Sequence, residues 1–232
     1  MLMTSDKIDL GKVYSSAYFK GKLGVYQGEY ETRKDVTRRF YSGVIKKFKL
    51  DDGFGKKALD VGCAYGYGVE VLTRLGYDAY GCDISEYAVN ICNSIHNWSR
   101  CFTLDVEQKN SLPENTFHLI TVISTIEHFK DPIVAITNTG RALKSSGSIL
   151  VTTNNPLSPL CLINRRRDDP THLSVYPPQK WLSLFKKFFN KSYINTYITL
   201  DRVIEEGNFF LLPLFGFTTV IKASNFKYAN FM

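Results

Sequence analysis

Ala58-Leu59-Asp60-Val61-Gly62-Cys63-Ala64-Tyr65-Gly66-Tyr67-Gly68 is a short apolar run that ends in a carboxylate and breaks into a loop of small residues. An apolar run of this length bounded by glycine reads as a buried strand, and the glycines let the backbone turn tightly and approach a ligand. A strand that enters such a loop and then a helix is the arrangement that holds a nucleotide-like cofactor. Charge narrows the choice. A loop that cradles a pyrophosphate offers bare N–H groups and a helix N-terminus to an anion, and an Asp at the strand tip would repel that anion. The small residues also fall as G-x-A-x-G at 62, 64 and 66, not as the G-x-G-x-x-G of a dinucleotide loop. A cofactor with a cationic sulfonium and ammonium suits Asp60, directly or through water, while Gly62, Ala64 and Gly66 leave the backbone room; S-adenosylmethionine is such a cofactor.

Further along, Asp83 closes the apolar segment Ala79-Tyr80-Gly81-Cys82 and is followed by Ile84 and a helix that begins near Ser85. Two carboxylate oxygens match the vicinal diol of a ribose, although dinucleotide enzymes use the same position. Cys101-Phe102-Thr103 then leads into Leu104-Asp105-Val106, and Phe117 to Ser124 forms an apolar strand that runs into Thr125-Ile126-Glu127-His128. In this order and at these separations, the D-x-G-x-A-x-G loop, the two acids and the Glu-His ending resemble the class I, Rossmann-like S-adenosylmethionine-dependent methyltransferases. The Glu-His ending is similar to that of the quinone-type and related small-molecule members. Ala64 departs from the family's usual glycine. The resemblance runs from about residue 56 to 156. It implies S-adenosylmethionine as cofactor, Asp83 at the ribose, Asp105 at the adenine amino group, and Asp60, Gly62, Ala64, Gly66, Ile84, Val106 and Ser124 as further cofactor-binding residues. It also implies a sheet of seven strands.

Composition is compatible with this reading. The chain has 232 residues and is 44% hydrophobic, enough for one α/β domain with a sizeable core. No stretch reaches the roughly 18 uninterrupted apolar residues of a membrane span, and the first residues lack the pattern of a secretory signal, so a cytoplasmic protein is expected. Five cysteines without a C-x-x-C, and four scattered histidines, predict neither a disulfide framework nor a metal site. A formal charge of +7 suits an anionic partner. The basic runs Arg38-Arg39, Lys46-Lys47, Lys56-Lys57 and Arg165-Arg166-Arg167 are short, however, and such runs are commonly solvated faces, which disfavours nucleic acid.

Along the chain, residues 1–55 read as a tyrosine- and glycine-rich cover followed by an amphipathic helix from about 32 to 50, in which Val36, Phe40, Val44 and Phe48 recur every four residues. Residues 56–153 alternate strand and helix, which means a doubly wound, mostly parallel α/β sheet. Within them Asp131 and Pro132 open a helix expected to end at Gly147, with a strand at 148–153. Residues 154–190 form an insertion after the fifth strand, too long for a plain connection and therefore a candidate lid, with a helix opening at Pro177-Pro178. Stretches near 192–200 and 216–223 supply the final strands within 191–232. The whole is read as one domain.

Methyl transfer from a sulfonium requires alignment of the acceptor with the S–CH3 bond, and a hydroxyl acceptor also requires a base. His128, after the fourth strand, and His172, in Asp169-Pro170-Thr171-His172-Leu173, are the candidate catalytic residues, each with a plain structural hydrogen bond as its alternative. The aromatic N-terminal cover and the 154–176 segment suggest a closed pocket, so the acceptor is expected to be a small molecule, a hydroxyl (O-methylation) in preference to an amine. Methylation of exocyclic amines of nucleic acids is disfavoured, because Ser124-Thr125-Ile126-Glu127 stands where those enzymes carry an Asn or Asp followed by Pro-Pro and an aromatic. An RNA or protein methyltransferase, a non-catalytic cofactor-binding subunit and a nicotinamide dehydrogenase remain open at this point.

Overall fold

Strand β1 (Lys57–Val61) is the apolar run before the loop, and it lies between two parallel neighbours, β2 (Asp78–Asp83) and β4 (Phe117–Ile123). The computed structural model describes residues 13–22, 29–159, 170–199, 209–212 and 215–227. A strand buried on both faces must be apolar at nearly every position, and its successive side chains enter different cores. Ala58, Leu119 and Leu150 pack with one cluster, whereas Leu59, Ile120 and Val151 pack with the other.

Each cluster is closed by its own helices. On one side lie α2 (Lys34–Lys47), α3 (Tyr67–Arg74) and α4 (Glu86–His96), which contribute Val44, Ile45, Val69, Leu72 and Val89. On the other lie α5 (Pro132–Ala142) and α6 (Pro178–Phe188), which contribute Ala135, Ile136, Trp181 and Phe185. The sheet order is β3-β2-β1-β4-β5-β8-β6-β7, where β3 is Cys101–Thr103, β5 Leu143–Asn154, β6 Phe189–Thr199, β7 Phe209–Leu211 and β8 Thr218–Phe226. Strands β1–β5 pair parallel, and β8, β6 and β7 follow through antiparallel pairings, β8 on β5, β6 on β8 and β7 on β6. The seven expected strands are therefore present in doubly wound order, and the short edge strand β7 is an addition to them.

Capping chemistry sets the helix starts as the sequence predicts. Ser85 accepts from Ala88 N at the head of α4, and Asp131 accepts from Ile133 N and Val134 N at the head of α5, with Pro132 at its first position. The end of α5 differs from expectation. The helix stops at Ala142 and β5 begins at once, because Gly147 is a strand residue at a bulge and not a helix terminator: a Cβ there would lie 2.9 Å from both Lys144 O and Phe117 O. The cysteines also depart in part. Cys92 and Cys101 are joined across α4 and β3, with Cα atoms 6.7 Å apart, while Cys63 and Cys82 are buried thiols.

The N-terminal cover contains the one-turn helix α1 (Ser16–Phe19) and a 3-10 turn at Tyr30–Arg33. Tyr14, Tyr18 and Phe19 are buried against Ala64, Tyr65, Tyr67 and Ala88, so the cover lies on the loop that follows β1. Among the described residues, no helix is long and apolar enough to cross a membrane.

Candidate active site

The parallel strands all point their carboxyl ends to one edge of the sheet, and the predicted site residues collect there. Gly62, Ala64 and Gly66 take positive φ values of 74°, 46° and 77°. Gly62 has no alternative, since a Cβ would run into the Thr125 side chain as well as strain the backbone. Ala64 accepts the left-handed strain, and its N–H donates to Asp83 Oδ2 at 2.9 Å. Three more loop amides turn inward: Gly62 N and Cys63 N donate to Cys82 O, and Gly66 N donates to Cys63 O. A pyrophosphate cradle needs such N–H groups facing the ligand, and those of residues 62, 63, 64 and 66 are consumed by the protein.

Asp60 stands beneath this loop, fully buried, accepting from Thr121 Oγ1 at 2.6 Å and from Tyr41 Oη at 3.1 Å. Burial pushes its carboxyl up to about 7, against the pull of the Thr121 and Tyr41 hydrogen bonds. From this position Asp60 reaches Thr121 and Tyr41, with Gly68 of the following helix packed directly against it. Gly68 makes that possible, because a Cβ there would strike both Tyr41 and Asp60 Oδ2.

Asp83 ends β2 with one oxygen on Ala64 N and the other on Ser85 N, each at 2.9 Å. Burial raises its pKa, and the backbone N–H groups of Ser85, Ala64 and Ile84 lower it. A carboxylate has about four lone-pair sites, so these backbone bonds leave capacity for a ribose hydroxyl. Ile84 beside it is half-buried. At the next strand end Asp105 accepts from Glu107 N at 2.9 Å, and Val106 is buried with its carbonyl held by Asn138 Nδ2. Ser124, exposed and left-handed at φ 49°, follows β4 with its N–H on Thr152 O. These acids, with an inward-turned loop, fit a cationic adenosine-containing cofactor better than a polyphosphate.

The second half of the site is assembled from three separated segments. After β4 a 3-10 turn (Ile126–His128) buries Glu127 and leaves His128 half-buried. Ser174 docks the returning chain on this turn, donating from N to Glu127 O and from Oγ to Phe129 O, both at 2.8 Å. That contact brings the His172 ring to 4.7 Å from the His128 ring. His128 Nδ1 lies 3.1 Å from Thr171 O and 2.9 Å from Tyr14 Oη. Because a carbonyl only accepts, the proton is assigned to Nδ1, which leaves the ring's lone pair on Nε2. Tyr14 closes the arrangement from the N-terminal side, its own carbonyl accepting from Ser85 Oγ at 2.5 Å. Both histidines singled out in the sequence thus meet, whereas Glu127 and Tyr14 were not anticipated. Arg165, Arg166, Arg167 and Asp169 lie outside the described residues.

Comparison with known proteins accords with this geometry. The chain is similar to ubiquinone biosynthesis O-methyltransferases, at 30% identity over 106 residues for that of Nitrosococcus oceani (44% of each chain) and 26% over 106 residues for that of Aliivibrio fischeri (44% of this chain, 45% of the relative). It therefore spans under half the length of these curated relatives. Among solved structures, it shares its fold with S-adenosylmethionine-dependent methyltransferases of Thermotoga maritima (TM-score 0.66, 17% identity, 84% of this chain and 94% of that one) and Archaeoglobus fulgidus (0.64, 20%, 85% and 99%). A family model described as a methyltransferase domain matches residues 32–188, well over half of the sequence, and the chain belongs to that family.

Proposed function

We propose that this protein transfers the methyl group of S-adenosylmethionine to a hydroxyl oxygen of a small-molecule acceptor. The observation that carries the reading is the division of the strand-end site. Asp83 and Asp105 stand at consecutive strand ends beside a loop whose amides at 62, 63, 64 and 66 are already bonded, and the His128–His172 pair stands after β4. When bound, S-adenosylmethionine supplies a methyl group activated by sulfonium, with a neutral thioether as leaving group. Asp83 binds the ribose, Asp105 and Val106 border the adenine, and buried Asp60 lies at the strand end before the loop. Ser124 and the loop after β1 flank the reacting end.

On the acceptor side, an imidazole with its lone pair on Nε2 takes the hydroxyl proton as the oxygen attacks carbon. His128 is oriented for this by Thr171 O and Tyr14, and His172 lies against it. Tyr14 and the Thr171–Ser174 segment exclude water, which suits a small acceptor better than a polymer. The O-methyltransferase names of the relatives support oxygen as the receiving atom.

The test is release of S-adenosylhomocysteine across panels of small hydroxyl compounds, small amines, RNA and protein. The proposal predicts turnover with members of the hydroxyl panel. Turnover confined to RNA or protein, with strong salt dependence, contradicts it.

A further inference from the structure

We propose that Glu127, His128 and His172 bind one divalent transition-metal cation at the acceptor end of the site. The sequence predicted no metal because its histidines are scattered, and adjacent Glu127-His128 has no ligand spacing of its own. The fold supplies what spacing lacks: one donor atom from each residue, two imidazole nitrogens and a carboxylate oxygen, all within 4.8 Å of one another. Two donors on a tetrahedral Zn2+ stand about 3.4 Å apart, since each bond is about 2.0–2.2 Å long, so side-chain rotations that bring the donors closer by at most about 1.4 Å close the set.

Three further features suit a cation. Glu127 is 2% exposed and both histidines are partly buried, so this N2O set is not a surface group of acids. Next, the Nδ1–H of His128 faces the Thr171 carbonyl, the outer contact that aims an imidazole's Nε2 at a metal. Finally, Ser174 fixes the third ligand's segment through both its N–H and its hydroxyl on the turn that carries the other two. Thr171 and Ser174 are positioning residues in this account. Two nitrogens and one oxygen favour zinc, iron, cobalt or manganese over magnesium or calcium, and three protein ligands leave coordination positions open for an oxygen ligand.

The cation's service to the acceptor rests on the function proposed above; its binding does not. A hydroxyl bound to the cation loses its proton to solvent more readily, and the oxygen's lone pair then forms the C–O bond while the C–S bond's electrons pass to sulfur. With the cation bound, the two histidines serve as its ligands; without it they keep the base role proposed above.

Co2+ titration of the full chain after chelator treatment, followed by ligand-field absorption, tests the site. One equivalent is expected to bind, and His172→Ala and Glu127→Gln are each expected to weaken binding at least tenfold while S-adenosylhomocysteine affinity, measured by calorimetry, reports that the variants are folded. In the unmodified protein, Co2+ should broaden the imidazole proton resonances of His128 and His172 and spare those of His118, which sits at the start of β4 accepting from Lys57 N. The absence of Co2+ absorption, or broadening centred on other histidines, overturns the site even where the variants fail to fold. A protein that binds S-adenosylhomocysteine but no Co2+ loses the cation and keeps the histidines as bases. One that binds Co2+ but no S-adenosylhomocysteine keeps the cation site and overturns the cofactor reading.

Discussion

The two halves of the site are built in opposite ways. On the cofactor side every acid sits at the end of a parallel strand, a few residues from the loop or helix it organises, and Asp83 serves Ala64 and Ser85 together. On the acceptor side Tyr14, Glu127, His128 and His172 come from three segments joined by Ser174, Thr171 and Tyr14 contacts. The first half is a property of the sheet and its turns. The second is a property of this chain's cover and insertion, which is where members of one fold acquire different substrates.

If the cofactor half is intrinsic to the fold, damage to it should reach stability. Gly62→Ala combines a left-handed backbone with a collision at Thr125, and a loss of about 2–4 kcal/mol is expected from strain and overpacking together. Urea denaturation checks this, and an unchanged midpoint would mean that the loop is looser than described. Asp83→Ala should weaken S-adenosylmethionine binding by about 1.5–3 kcal/mol, the range for hydrogen bonds to a charged group. Calorimetry on the folded variant decides, and an unaltered dissociation constant removes Asp83 from the ribose.

Asp60 offers a pH test of the same half. Its folded carboxyl lies at about 7 against about 3.9 unfolded, so the folded state holds the proton more tightly across that window. Stability from this group is full below about pH 4 and is lost as pH rises towards 7, by no more than about 1.4 kcal/mol per pH unit. Asp60→Asn removes the titration. The parent should therefore lose stability relative to the variant between about pH 4 and pH 7, in paired denaturation curves; parallel pH dependence in the two proteins would show that Asp60 titrates normally.

The smallest effect belongs to the other half. Tyr14→Phe deletes the contact with His128 and keeps the Tyr14 carbonyl on Ser85, so it should cost about 0.5–1.5 kcal/mol in kcat/KM for the acceptor. Cofactor affinity should not change. An equal loss in both would mean that the cover belongs to the cofactor half.

The same division governs what could be read from sequence. Strand order, the left-handed loop and the strand-end acids were legible because each depends on neighbours within a few residues: a glycine that needs positive φ, a serine that caps a helix, an apolar strand between two cores. The buried role of Asp60 was hidden because Tyr41 and Thr121, which surround it, are distant in the chain. Gly147 resembles a helix stop until Phe117 O is seen beside it. The meeting of His172 with Glu127-His128, the pairing of Cys92 with Cys101 and the edge strand β7 all depend on how long segments return, which local pattern does not encode.

The central claim is that the strand-end site takes an S-adenosyl cofactor and not a dinucleotide, and thermal unfolding with each ligand tests it most directly. At a hundred times its dissociation constant, a ligand adds about 2.7 kcal/mol, equivalent to roughly 5–10 °C for a chain of this size. S-adenosylhomocysteine should raise the melting temperature by that order in the parent and much less in Asp83→Ala, with NADH giving no shift. A shift with NADH that S-adenosylhomocysteine fails to match or displace would contradict the account.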